Sequence, residues 1–220
     1  DPLIPHHFNV SDLSGKAANK AALQDRLGLP VNPDVAMIGM VSRLTDQKGF
    51  QLVEERMEEL LQAEVQVVLL GTGEPQFEHS FRYFESRYPD KMKSLITFDL
   101  GLAQQIYASC DFFLMPSAFE PCGLSQLMAM RYGTLPIVHE TGGLRDTVQP
   151  YNQYTGEGTG YSFNRFDGWT MLQTIYYALD VYYNQPGAHK QLVEQAMTRD
   201  FSWTGPTKEY LALYHSLLQG

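Results

Sequence analysis

Cysteine is scarce in this chain: Cys110 and Cys122 are the only two among 220 residues. Their spacing fits no structural metal site, and a chain of this length has core enough to do without a disulfide. Cys110 is therefore expected as a buried packing residue, and no metal is expected. Basic residues are few as well, 16 Lys and Arg against 25 Asp and Glu, for a formal charge of −9. A nucleic acid or an anionic membrane would demand a basic face, so neither is the main partner, and any phosphate site must be local. No apolar run approaches the roughly 20 residues that a bilayer-spanning helix needs, and the amino terminus has no signal-peptide pattern. The cytoplasm is the expected compartment. Internal repeats and low-complexity tracts are also lacking.

What is present is an ordinary globular composition, 44% hydrophobic, long enough for one well-buried domain and too short for two. Apolar runs near residues 35–41, 65–70, 95–98, 112–115, 135–138 and 160–163 read as strands, with helical patterns between them. That alternation predicts an α/β fold with a doubly wound, Rossmann-like parallel sheet. Such sheets bind ligands at the carboxyl ends of their strands. The full dinucleotide pattern is missing from Leu70-Gly71-Thr72-Gly73-Glu74, which makes a nicotinamide cofactor a poor expectation.

Three segments fall at that carboxyl edge. The first is Ser42-Arg43-Leu44-Thr45-Asp46-Gln47-Lys48-Gly49, where Arg43 and Lys48 form a cation pair able to clamp a diphosphate. The second is Phe119-Glu120-Pro121-Cys122-Gly123-Leu124-Ser125, a turn that presents Glu120 where core packing needs no acid. After it, Leu124, Leu127, Met128 and Met130 recur at helical spacing. Cys122 is expected to line a pocket rather than act as a nucleophile. The third is His139-Glu140-Thr141-Gly142-Gly143-Leu144, whose paired glycines let backbone N–H groups approach an anion at a helix start. Residues 149–160 read as a surface loop or a flap at the cleft. The tail is rich in aromatics, with Trp169, Tyr176, Tyr177, Tyr182, Tyr183, Phe201, Trp203, Tyr210 and Tyr214. At near-helical spacing these are expected to fill an outer helix layer rather than to form a sugar-stacking platform.

These runs, together with Thr141-Gly142-Gly143-Leu144-Arg145-Asp146-Thr147-Val148, resemble the donor-binding half of the bacterial glycogen synthases and plant starch synthases. The similarity extends from Ser14-Gly15-Lys16 to Phe201-Ser202-Trp203, and Ile106-Tyr107-Ala108 and Asp111-Phe112-Phe113-Leu114-Met115-Pro116-Ser117 favour the bacterial enzymes. That family has two Rossmann-like domains facing across a cleft, the GT-B arrangement. The resemblance implies that residues 1–220 are the carboxy-terminal domain of a longer enzyme. It also implies that 203–218 form a helix packing on the amino-terminal domain, which carries the acceptor site and a catalytic histidine.

The implied reaction is retaining transfer of glucose from ADP-glucose to the non-reducing end of an α-1,4-glucan, with no cofactor. By resemblance, Arg43 and Lys48 neutralise the leaving diphosphate, Glu120 contacts the glucose hydroxyls, and the backbone of Cys122, Gly123 and Leu124 holds the sugar. Ser125 donates to a phosphate, Thr141, Gly142 and Gly143 complete the anion edge, and Phe98 stacks on adenine. In one departure, Met128 stands where many relatives of this architecture carry a second glutamate for the ribose. A preference for ADP over UDP therefore rests on the resemblance alone. Two alternatives stay open: a sucrose- or trehalose-forming glucosyltransferase, and a nucleotide-sugar-binding module without turnover, which is what this chain by itself is expected to be.

Overall fold

Val65–Leu70 is buried at every position, as a strand must be when both its faces are covered by helices. Its side chains alternate between two cores. Val65, Val67 and Leu69 join one, and Val68 and Leu70 join the other. The computed structural model, which describes residues 1–218, builds the domain around this strand, β2.

The sheet has six parallel strands in the order β3-β2-β1-β4-β5-β6. They are β1 (Ala36–Val41), β2 (Val65–Leu70), β3 (Met92–Leu95), β4 (Phe112–Met115), β5 (Leu135–His139) and β6 (Tyr161–Phe163). Helices α1 (Ser14–Leu27) and α4 (Leu100–Ser109) cover one face, burying Leu23, Leu102 and Ile106 against Met37, Val68 and Phe113. The other face is covered by α2 (Phe50–Leu60), α3 (Pro75–Arg87), α7 (Gly168–Asn184) and α8 (Pro186–Thr198). Two short helices, α5 (Ser125–Arg131) and α6 (Gly142–Thr147), follow β4 and β5, and α9 (Thr204–Leu218) ends the described chain. Strand order reverses between β1 and β4, so that their carboxyl ends flank the switch point where such sheets bind ligands.

The structure corrects several expectations. The third strand is Met92–Leu95, not 95–98. It is an edge strand, half-buried at Lys93, Ser94 and Leu95, so its polar residues hid it. Phe98 then falls in a loop, beside Asp99, whose carboxylate caps α4 by accepting the Leu102 N–H at 2.9 Å. Residues 149–160 precede β6 and lie at its amino end, away from the switch point. Hydrogen bonds from Asn152 N–H to the Glu157 carbonyl and from Tyr151 N–H to the Gly160 carbonyl fold this segment back on itself. The aromatic tail divides. Tyr176, Tyr177 and Tyr182 pack against the core, whereas Trp169 and the α9 side chains Tyr210 and Tyr214 are exposed, as are Phe201 and Trp203. Cys110 is buried, as expected.

At the amino edge of the sheet, Asp111 accepts from Lys20 Nζ at 2.7 Å and from the Met37 N–H at 2.8 Å. Beside them His189 packs on Tyr182 and Phe112, ring centroids 4.9 and 5.6 Å away. Burial lowers its pKa to about 4, with Asp111 pulling upward and Lys16 and Lys20 pushing further down. The folded chain thus holds His189 neutral where the unfolded chain, titrating near 6.5, takes up a proton. Its contribution is present above pH 6.5 and is lost as pH falls toward 4, up to about 3 kcal/mol. Urea denaturation between pH 7 and pH 4 should therefore show a shallower acid loss for His189→Phe than for the parent. Equal slopes would assign the acid sensitivity elsewhere.

Candidate active site

The two loops at the switch point touch through a glycine. Gly49 has φ +78°, and a Cβ there would stand 2.0 Å from the Pro116 carbonyl oxygen. Only a residue with no side chain lets the loop after β1 rest on the end of β4. A second tie is the Ala118 N–H donating to the Gln47 carbonyl at 3.0 Å. Together they bring Lys48 Nζ to 2.5 Å from Glu120 Oε2. Both side chains are largely buried, 19% and 11% exposed, so their attraction is less screened than that of a surface pair.

Glu120 is held from behind as well. Its Oε2 accepts from Ser117 Oγ at 3.4 Å, and the Ser117 carbonyl lies 2.8 Å from His139 Nδ1. The Gly143 N–H donates to the Glu120 and Pro121 carbonyls at 3.1 and 3.2 Å. A Cβ on Gly143 would lie 1.9 Å from the Cys122 carbonyl oxygen, and one on Gly142 would lie 2.2 Å from that of Glu120. The Thr141 N–H is engaged as well, donating to the His139 carbonyl at 2.8 Å, so the anion-cradle expectation is corrected for Thr141 and Gly143. The paired glycines let one loop back onto another, and the Gly143 N–H is already engaged. Cys122 is corrected too, because its thiol is exposed and directed to the Gly123 carbonyl, outside the cavity walls.

Lys48 and Glu120 line a cavity of about 70 Å³ with Ser117, Gly123, Leu124 and Ser125. A larger one, about 420 Å³, is walled by Arg43, Thr72, Phe98, Gln104, Tyr107 and Met128. Val41, Ser42, Leu124 and Ser125 belong to both. The two form a continuous groove along the carboxyl edge, apolar and aromatic at one end and charged at the other. Arg43 is exposed on the rim and makes no ion pair among the described residues. Arg43 lines the larger compartment and Lys48 the smaller, on either side of the stretch that the two share. Phe98 is 82% exposed, leaving its ring available for stacking.

Around α5 the sequence pattern is met only in part. Leu124 and Met128 are exposed, and the buried positions are Gln126, Ala129 and Met130. Gln126 is tolerated inside because its amide donates to the Cys122 and Gly123 carbonyls and to Thr147 Oγ1. Of the four apolar side chains that the spacing assigns to the core, Met130 is there and Leu127 packs against it, whereas Leu124 and Met128 wall the larger cavity. Sequence reasoning also missed Ser42, Thr72, Gln104, Tyr107, Ser117 and His139. Ser42, Ser117 and His139 stand within the runs already quoted and were within reach. Gln104 and Tyr107 lie on a helix whose pattern speaks only of packing. Among the described residues, no group of three or more His, Cys, Asp or Glu side chains is placed to hold a metal ion, and no helix is long and apolar enough to cross a membrane.

Residues 24–169 match the family model described as "Glycosyl transferases group 1". Over 218 residues the chain is 62% identical to glycogen synthase of Streptococcus sanguinis, an alignment covering 99% of this chain and 46% of that protein. It thus spans about half the length of such relatives. The catalytic domain of starch synthase IV from Arabidopsis thaliana, bound to ADP and acarbose, is similar with a TM-score of 0.90 at 34% identity, covering 100% of this chain and 46% of that one. Sucrose-phosphate synthase from Thermosynechococcus elongatus has a TM-score of 0.65 at 23% identity, covering 98% of this chain and 52% of that one. At that identity the likeness shows the fold alone.

Proposed function

The chain belongs to the group 1 glycosyl transferases, and from that premise we propose that it is the donor-binding half of a glucan synthase that transfers glucose from ADP-glucose to an α-1,4-glucan with retention. The observation that carries the proposal is the continuous groove at the switch point, with an exposed aromatic ring at one end and the Lys48–Glu120 pair at the other. A nucleoside fits the wide compartment against Phe98, and the narrow one, at about 70 Å³ too small to enclose a hexose, presents Lys48 and Glu120 to a sugar resting at its mouth. The diphosphate then lies between them, beside Ser42 and Ser125 and within reach of Arg43 and Lys48. The similarity to a starch synthase domain bound to ADP and acarbose supports a nucleotide and a glucan as the ligands.

In the proposed reaction the bond between the anomeric carbon and the diphosphate oxygen breaks, ADP leaves with that electron pair, and a glucan hydroxyl forms the new bond on the same face, its proton passing to the departing diphosphate. Fixed cations beside the leaving group stabilise charge as it develops, without solvent reorganisation. Lys48 and Arg43 are assigned that task. Glu120 accepts hydrogen bonds from the glucose hydroxyls and keeps Lys48 Nζ aimed into the cavity. The acceptor and the opposite wall of the cleft belong to an amino-terminal half. The exposed apolar side chains of α9, including Leu211, Tyr214 and Leu217, are assigned to docking on it.

Calorimetric titration of the chain with ADP, UDP and ADP-glucose tests this. ADP is expected to bind. Phe98→Ala should weaken it by about 1–3 kcal/mol, the scale of base stacking on an aromatic ring. Unchanged ADP affinity in Phe98→Ala would remove the nucleoside from the wide compartment, and no ADP binding by the parent would end the proposal.

A further inference from the structure

A second cleft lies on the flank of the domain, at the edge strand β6, and shares no wall residue with the groove at the switch point. Its volume is about 230 Å³, room for a single hexose ring. Tyr151 and Tyr177 stand stacked in its wall, ring centroids 6.1 Å apart and planes at 22°, with Tyr161 edge-on to both. Thr170, Gln173 and Thr174 project from α7 along the same wall. Gln173 is exposed.

One atom in this cleft is unexplained by the fold. Tyr161 is 2% exposed, and its hydroxyl is buried with no hydrogen-bond partner. Buried hydroxyls of tyrosine ordinarily find a partner, because leaving one without costs free energy that nothing else in the core returns. The neighbouring rings confer no hydrogen bond, so packing alone gives no reason for an oxygen at this position. A phenylalanine would fill the same volume.

Aromatic faces beside a few convergent hydroxyl and amide groups make a surface suited to a pyranose ring. The apolar C–H face of the sugar lies on the rings, and its hydroxyls reach the polar groups at the edge. The lining offers no cation, which excludes a phosphate or nucleotide as occupant. We propose that this cleft is an accessory binding site for a glucosyl unit of an α-glucan chain, with the Tyr161 hydroxyl as its buried hydrogen-bonding contact. The choice of α-glucan rests on the function proposed above, whereas a neutral sugar as the class of ligand follows from the cleft itself. A chain held on this flank would keep a long polymer near the enzyme between transfers, raising the effective concentration of its ends.

The test is titration of the chain with maltoheptaose and, separately, with ADP. Tyr161→Phe removes one oxygen and keeps the ring. It should weaken maltoheptaose about three- to tenfold, the yield of one hydrogen bond, while the urea midpoint holds or rises because an unpartnered polar atom has left the core. Gln173→Ala, on the surface and without risk to folding, should weaken it to a similar extent. Neither change should alter ADP affinity. Maltoheptaose affinity untouched by both substitutions, or no maltoheptaose binding by a chain that binds ADP, overturns the cleft and leaves the donor site standing. Absence of ADP binding with maltoheptaose still bound sinks the donor site and not the cleft.

Discussion

Turnover of the two-domain enzyme should fall by about two to three orders of magnitude when Glu120 becomes alanine, the range seen when one fixed contact to a reacting group is deleted. The 2.5 Å pair with Lys48 adds a consequence that a sugar contact alone would not have. Glu120 also holds the ammonium in place, so its loss frees Lys48 to turn toward solvent. ADP affinity of the chain should then fall in Glu120→Ala as well, by about 1 kcal/mol, and by about 1–3 kcal/mol in Lys48→Ala, where a charged hydrogen bond to the ligand goes directly. The double variant is decisive. Groups in direct contact couple by about 0.5–3 kcal/mol, so losses in ADP affinity should not add. Strict additivity would show that the two side chains act independently. Glu120→Gln separates charge from shape, because an amide keeps an acceptor in place but no longer pairs with Lys48. It should resemble Glu120→Ala in ADP affinity and exceed it in turnover.

The second large effect concerns stability. Gly49→Ala meets two penalties together, a left-handed backbone and a Cβ 2.0 Å from the Pro116 carbonyl, and should cost about 2–4 kcal/mol in urea denaturation. Two companions separate the penalties. Gly28 has φ +66° with nothing within 4 Å of an added Cβ, so Gly28→Ala bears the backbone term alone, about 1–2 kcal/mol. Gly143 needs no positive φ but would set its Cβ 1.9 Å from the Cys122 carbonyl, so Gly143→Ala bears the steric term alone. Gly187, in α8 with open space around it, is the control. There alanine should stabilise by about 0.5–1 kcal/mol. The site variants should also lose ADP affinity, because the same contacts set the Lys48–Glu120 distance. A Gly49→Ala chain as stable as Gly28→Ala would mean that the loops part at no cost and do not position the pair.

The central strands were legible because their chemistry is one-sided. A strand covered on both faces is apolar wherever a side chain lacks a partner, as Phe112–Met115 is throughout and Val65–Leu70 is except at Gln66, whose amide is paired with Gln24 and the Pro30 carbonyl, and no turn or surface helix imitates that for long. The alternation of such runs with helical patterns was enough for the parallel, doubly wound class. Edge strands escape this rule. Met92–Leu95 was misplaced because one of its flanks faces water, and Lys93 and Ser94 satisfy that flank at the expense of the pattern.

Residue types in the site were legible for a similar reason, since a carboxylate, two cations and paired glycines at strand ends have no use in a core. Their relations to one another were not. Lys48 and Glu120 are separated by 72 positions, and no local pattern records that two loops are brought together by the absence of a side chain at Gly49. The same holds for Gly142 and Gly143. Sequence marks them as places of close approach, but whether an anion or another backbone does the approaching is decided by what stands opposite, here the carbonyls of Glu120 and Cys122. On α5 the apolar spacing was real, yet its direction was set by how β4 delivers the helix to the sheet, which turned Leu124 and Met128 outward to wall a cavity. The sequence by itself thus determined the fold class and the chemistry available at the carboxyl edge, because burial and backbone conformation act residue by residue. Only the tertiary structure decided which groups meet, because contacts between distant loops depend on the packing of the whole sheet.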